Sequence, residues 1–326
     1  MKKKYKILLS ILTVLLLFFL VINIIPPKKA IENNPFITEG QTMICAHRGG
    51  GANNPENSMK AFKACVYEYD VQILETDLWL TKDNQLVVSH DDSMNRTSDV
   101  EEVMGSDEEY LIEDHTLEEL RQFNLGYNFE KDGNYPYRDI ITDENRRLEI
   151  LKENDLTIIT FDELFSQFYD DHKELLFIVE IKNPGEKGYI AADIINDLLT
   201  NKYPDYINRI VVGTFHDEIT DYMSNTYPYI LRGASVGDAT KFIVTQLLKV
   251  NIFENQTFAC LQLPEEQMGI NLKWRTYIRR AHRKNIAVQY WTINDEKVMR
   301  ELIEKDADAI MTDNPLLLKQ VLDSYK

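Results

Sequence analysis

The sequence predicts an α/β chain: a (β/α)8 TIM barrel with one insertion, preceded by a single N-terminal transmembrane helix. Apolar runs near 43–46, 73–78, 86–89, 175–181, 209–214, 230–234, 258–263, 286–291 and 308–312 read as strands, with helical spacing between most of them. Several of these runs end in charged or imidazole side chains, the pattern expected at the catalytic end of such a barrel. Ahead of them all, residues 7–25 carry no charge.

Each element follows in order. Residues 1–6 hold Lys2, Lys3, Lys4 and Lys6, and the nineteen uncharged residues 7–25 are long enough for one membrane span. Only Lys28 and Lys29 follow, an imbalance that puts residues 1–6 in the cytoplasm and the rest outside. Pro26-Pro27 ends the helix, and no small-x-small cleavage site is evident, so an uncleaved anchor is expected rather than a removed signal peptide. The expectation is a single-pass protein of the cell membrane: a linker at 26–40, then an extracytoplasmic barrel over 41–326. In 57–70, Met59, Phe62, Ala64, Val66 and Tyr69 keep one apolar helical face. Nine candidate strands exceed the eight a barrel needs, and the 230–234 run is the weakest. Residues 98–156, rich in Asp, Glu, Asn and Tyr with a helical pattern only at 116–123, read as an insertion that shapes access to the catalytic mouth.

Composition narrows the function. With 44% hydrophobic and 10% aromatic residues, the chain can bury one large core. The formal charge is −17; without the four leading lysines, 32 basic residues face 53 acidic ones, leaving −21. Such a surface argues against nucleic acid as a partner and against tight electrostatic docking of the domain onto anionic lipid. Cys45, Cys65 and Cys260 are scattered and read as buried thiols, not a disulfide framework.

The chemistry is concentrated in residues 46–97 and a few later strand ends. Glu75 and Asp77 are two apart on a strand, so both point to one face. Two carboxylates on one buried face repel unless a cation lies between them, and a hard ion with oxygen ligands, Ca²⁺ or Mg²⁺, suits that need. His47 and His90 are the obvious proton carriers, since an imidazole can serve as either acid or base. Arg48 offers a fork of donors for phosphate. Glu180 and Lys182 end another apolar strand and share one face, adding a third carboxylate and a cation. Together these groups read as phosphoester cleavage. Asp313-Asn314-Pro315 is expected to cap a helix, as are Asn57 and Asn294.

The ordered set His47-Arg48-Gly49, Pro55-Glu56-Asn57-Ser58, Glu75-x-Asp77, His90-Asp91, Asn95-Arg96-Thr97, Val179-Glu180-Ile181-Lys182, Trp291-Thr292-Ile293-Asn294 and Thr312-Asp313-Asn314-Pro315 resembles the glycerophosphodiester phosphodiesterases over roughly 43–318. Departures are small: Ser58 stands where that family often has Thr, and Gly51 lengthens the glycine run. The resemblance implies His47 and His90 as the acid/base pair, Glu75, Asp77 and Glu180 as metal ligands, Arg48 and Lys182 at the phosphate, and Trp291 at the glycerol end. It also implies that the substrate's own glycerol hydroxyl attacks first, giving a cyclic phosphate that water opens. The expected substrate is a small or lipid-derived glycerophosphodiester, cleaved to an alcohol and sn-glycerol 3-phosphate. Alternatives are a lysophospholipase D, a hydrolase of glycerol-phosphate wall polymers, and a non-catalytic binding barrel.

Overall fold

A computed structural model describes residues 2–24, 27–38, 40–247 and 255–326. Eight strands among them form one parallel barrel: β1 (Met43–Ala46), β2 (Ile73–Leu80), β4 (Leu176–Ile181), β5 (Ile210–Gly213), β6 (Leu231–Arg232), β7 (Cys260–Leu263), β10 (Ala287–Tyr290) and β11 (Ala309–Thr312). The spatial order is β6-β5-β4-β2-β1-β11-β10-β7. The seam between β6 and β7 is held by the Ala259 N–H on the Arg232 carbonyl (2.8 Å), the Ala234 N–H on the Cys260 carbonyl (2.9 Å) and a parallel Gly233–Cys260 bridge.

The supernumerary strand is not the one expected. The 230–234 run is a barrel strand, paired Val211 to Leu231 and Val212 to Arg232. Its two residues are too short for periodicity to register. The extra strand is β3 (Leu86–Val88), which turns back antiparallel on the overhanging end of β2, Leu78 opposite Val88. A short β8/β9 hairpin (Glu266–Gln267, Ile270–Asn271) follows β7.

Helices cover the outside: α2 (Met59–Tyr67), α6 (Phe161–Phe168), α7 (Gly185–Asp197), α8 (Asp217–Thr226), α9 (Val236–Leu247), α10 (Arg275–His282), α11 (Glu296–Glu304) and α12 (Pro315–Asp323). Alternation along each strand separates two cores. Ile44, Leu74, Phe177, Val179, Val212, Val288 and Ile310 face the helices, while Cys45, Ile73, Leu176, Ile178, Val211, Ala287, Ala309 and Met311 fill the barrel. All three cysteines are buried and free, as expected.

The 98–156 region contains α3 (Val100–Met104), α4 (Leu117–Leu120) and α5 (Arg147–Glu153). Val100, Ile112, Leu120, Phe123 and Leu125 join Val87, Met94 and Ile158 in a small core of their own. Asp99 holds it from within, accepting from the Asn124 N–H (2.8 Å) and pairing with Arg147.

At the other end, α1 (Lys2–Ile24) covers the apolar run, and its side chains from Lys3 to Phe18 are exposed. Residue 25 of the expected span, and residues 26 and 39 of the expected linker, lie outside the described residues; so do the side chains at 19 and 22–24. Among the described residues no helix is long and apolar enough to cross a membrane.

The described part of the linker is not a free tether. Phe36 is fully buried beneath the barrel core, with Ile31 and Ile37 packed on the same cluster. Truncating Phe36 to Ala should destabilise the chain by about 3 kcal/mol or more, read as a lowered urea midpoint with unchanged slope.

Candidate active site

Inside the barrel the side chains change character along the axis. Ile73 is followed in phase by Glu75 and Asp77 on β2, and Leu176 and Ile178 by Glu180 on β4. Cys45 leads to His47, Ala309 and Met311 lead to Asp313, and Ala287 and Gln289 lead to Trp291. The C-terminal end of the barrel thus gathers seven of the eight residues expected there: His47, Arg48, Glu75, Asp77, Glu180, Lys182 and Trp291. Trp291 is 39% exposed at the rim.

The carboxylates crowd. Asp77 and Glu180 are register partners on neighbouring strands. Burial, then the charge of Asp77, pushes the Glu75 carboxyl well above its usual range. Glu180 is also raised, chiefly by burial, with Lys182 opposing and Asp77 adding. The Lys182 Nζ lies 3.0 Å from Glu180 Oε1 and 3.3 Å from Asp77 Oδ1. Burial alone would lower its pKa, but those two carboxylates outweigh it and hold the ammonium charged.

Arg48 sits in a left-handed conformation (φ 50°) directly after His47. There its N–H donates to Glu75 Oε2 (2.7 Å) and its carbonyl accepts from the Asn57 N–H (2.8 Å). The turn continues through Gly50 (φ 82°), where a Cβ would stand 2.6 Å from Cγ of Pro315, so glycine is required. Three polar atoms here are buried without a hydrogen-bond partner, Arg48 Nε, Asn57 Nδ2 and Asp77 Oδ2, the first and last facing each other as an ion pair at 3.6 Å. Two donors and one carboxylate oxygen suit an anion and a cation respectively.

Each histidine rests on its own carboxylate. His47 Nδ1 is 2.6 Å from Asp313 Oδ1, and Asn294 Nδ2 donates to Asp313 Oδ2 (2.7 Å). Burial pushes the Asp313 carboxyl up, but the hydrogen bonds from His47 and Asn294 outweigh it and leave it lowered. The expected cap roles are therefore corrected. Asn314 does cap α12, accepting from the Leu317 N–H (3.0 Å), while Asp313 turns inward to His47. Asp295 caps α11, freeing Asn294 to brace Asp313; Ser58 caps α2, and Asn57 is buried beside the turn.

His90 arrives differently. It follows β3, so the antiparallel hairpin carries it, with Trp79 Nε1 donating to its carbonyl (3.1 Å). Its Nδ1 is 2.7 Å from Asp91 Oδ1. That bond, with the Arg96 guanidinium, holds the Asp91 carboxyl well below the usual range. Arg96 also donates to both oxygens of Glu56 (3.0 and 2.6 Å), and Arg48 Nη1 reaches Glu56 Oε1 (3.2 Å). A cleft lined by Asn57, His90, Asp91, Arg96 and Leu125 opens here, Leu125 coming from the insertion. The supports Asp313, Asn294, Asp91, Arg96 and Glu56 all lie within the motifs quoted above, but neither periodicity nor pair spacing assigned them to the histidines.

Residues 47–317 match the Glycerophosphoryl diester phosphodiesterase family. The chain belongs to that family. A glycerophosphodiester phosphodiesterase of Caldanaerobacter subterraneus subsp. tengcongensis is 24% identical over 277 residues, covering 84% of this chain and 95% of that one. Among solved structures, a glycerophosphodiester phosphodiesterase from Agrobacterium tumefaciens superposes with TM-score 0.60 at 16% identity, covering 86% of this chain and all of that one. An Oleispira antarctica phosphodiesterase, solved in complex with the product sn-glycerol-3-phosphate, gives 0.61 at 19% identity, covering 87% of this chain and 97% of that one. The family member described here is an enzyme, a glycerophosphodiester phosphodiesterase acting on a small-molecule glycerophosphodiester.

The raised Glu75 carboxyl has a measurable consequence. A carboxyl whose folded pKa exceeds its unfolded value contributes stability below the unfolded value, about 4.3 for Glu, and loses it as pH rises through the folded value. In chelator, Glu75→Gln should therefore raise the melting temperature near neutral pH and leave it nearly unchanged below about pH 4. An equal shift at both pH values would show that the Glu75 charge is already compensated.

Proposed function

We propose that this phosphodiesterase is membrane-anchored and divalent-cation-dependent, releasing an alcohol and sn-glycerol 3-phosphate outside the cytoplasm with His47 and His90 as its acid/base pair. The observation that carries the reading is the pair of imidazoles, each tied through Nδ1 to a carboxylate held low, bordering one group of buried carboxylates and cations. An ionised carboxylate only accepts hydrogen bonds, so Nδ1 of each histidine carries a proton and Nε2 is left to exchange one with substrate. One imidazole takes the proton of the attacking hydroxyl, and the other gives one to the departing alcohol. Arg48 and Lys182 offset phosphate charge, and Trp291 at the rim meets the glycerol end.

Among the described residues, no three His, Cys, Asp or Glu stand as a ready-made metal cluster. The donor chemistry nonetheless fits a hard cation: Glu75, Asp77 and Glu180 offer only oxygen, Asp77 Oδ2 accepts no hydrogen bond and meets only the Arg48 guanidinium at 3.6 Å, and burial, then the charge of Asp77, disfavours ionised Glu75. Ca²⁺ or Mg²⁺ held by these three would polarise a phosphate oxygen and offset charge in the transition state. The anchor reading is supported by the uncharged run 7–25 of the sequence, the exposed Leu8, Leu9, Leu12 and Leu16, and the lysine imbalance around it. Leu125 beside His90 supports a role for the insertion in choosing the alcohol.

Assayed on glycerophosphocholine, His47→Ala should lower turnover by at least about 10²-fold with folding intact; unchanged turnover refutes its role. The Glu75→Ala/Asp77→Ala double variant should lose activation by Ca²⁺ or Mg²⁺, and a variant still activated places the ion elsewhere. Cleavage of lysophosphatidylcholine alone would replace the soluble-diester reading with a lysophospholipase D.

A further inference from the structure

The segment between α1 and β1 forms a floor across one end of the barrel. Asn34 Nδ2 donates to the carbonyls of Ala259 (2.7 Å) and Asn285 (3.0 Å). Asn285 Nδ2 returns to the carbonyls of Ile31 (2.7 Å) and Glu32 (3.0 Å). The Ala30 N–H meets the Lys284 carbonyl (2.7 Å), and the Thr38 N–H meets Asp308 Oδ1 (2.9 Å). Ala259, Lys284, Asn285 and Asp308 all precede their strands β7, β10 and β11. The floor therefore closes the N-terminal end of the barrel, opposite the end that carries His47, Glu180 and Asp313.

Five residues, 25–29, separate Ile24, the end of α1, from Ala30 on the floor, a reach of at most roughly 20 Å. Lys28 and Lys29 are exposed within that reach and suit anionic headgroups, whereas the chain beyond the four leading lysines carries a net −21. We propose that the barrel is held with its N-terminal end against the membrane surface, so that the catalytic mouth opens away from the anchoring bilayer. This rests on the anchor reading and goes beyond it. The eight residues of β2 rise roughly 3.3 Å each, and with the usual tilt the mouth stands roughly 20 Å farther from the bilayer than the floor. The diester then reaches the site from the aqueous side, as a water-borne glycerophosphodiester and not as a lipid lying in the anchoring leaflet.

Single reporter thiols test this on the full chain. The three native cysteines are buried, and burial pushes all three thiols up, so they stay unreactive. Glu32→Cys places an exposed label on the floor, and Gln267→Cys places one on the hairpin at the mouth. Each labelled chain is mixed with phosphatidylglycerol/phosphatidylethanolamine vesicles bearing a nitroxide quencher on the headgroup. The label at 32 should lose most of its fluorescence while the label at 267 keeps it. Equal quenching, stronger quenching at 267, or no quenching of a chain that floats with the vesicles overturns the orientation. A chain that does not float overturns the anchor reading and the orientation with it.

Discussion

Three carboxylates inside one end of a barrel are the constraint on which the rest of the site depends. Glu75 and Asp77 are almost fully buried, and Glu180 faces Asp77 across a single strand pairing. Charges so placed are tolerated only with compensation close by. Lys182 supplies an ammonium to two of them, and the left-handed turn at Arg48 aims a backbone N–H at the third. That turn requires a residue without a side chain at Gly50 because Pro315, the first residue of α12, stands against it. The left-handed turn, the glycine and the start of α12 thus pack as one unit beside the buried charge.

The two histidines reach this charge from different supports. His47 and its partner Asp313 are carried by β1 and β11, adjacent strands of the barrel, so the scaffold itself sets their distance. His90 stands on the β2–β3 hairpin, which overhangs the barrel and would be mobile alone. It is steadied from two sides: the small core of the insertion packs under Val87, and Arg96 ties Asp91 back to Glu56 in the β1 turn. The insertion is therefore a structural support for the second histidine as well as a wall of its cleft.

How far the residues reveal this depends on the range of the interaction involved. Strand ends bearing Glu75, Asp77, Glu180 and Lys182 were legible because alternation along a strand is local, and a carboxylate in phase with Ile73 or Ile178 has only the barrel interior to point into. The 230–234 strand was underrated and the 86–89 run miscounted as a barrel strand because membership in a sheet is settled by partners far along the chain. Asp313 and Asn294 read as caps for the same reason: Asx residues before a helix are caps by local rule, and only the closing of β1 on β11 brings His47 to Asp313.

By itself the sequence determined the barrel, the order of its motifs and the residue types gathered at the C-terminal end of its strands, since all three follow from periodicity and from the chemistry of single side chains. Tertiary structure decided which carboxylate orients which histidine, that the second histidine is carried by a hairpin outside the barrel, and that residues 30–38, within the expected linker, form a floor. The physical reason is distance along the chain. Asp313 lies 266 residues from His47, and the floor of the barrel bonds to backbone more than 220 residues away; no local pattern encodes a contact made only when the sheet closes on itself.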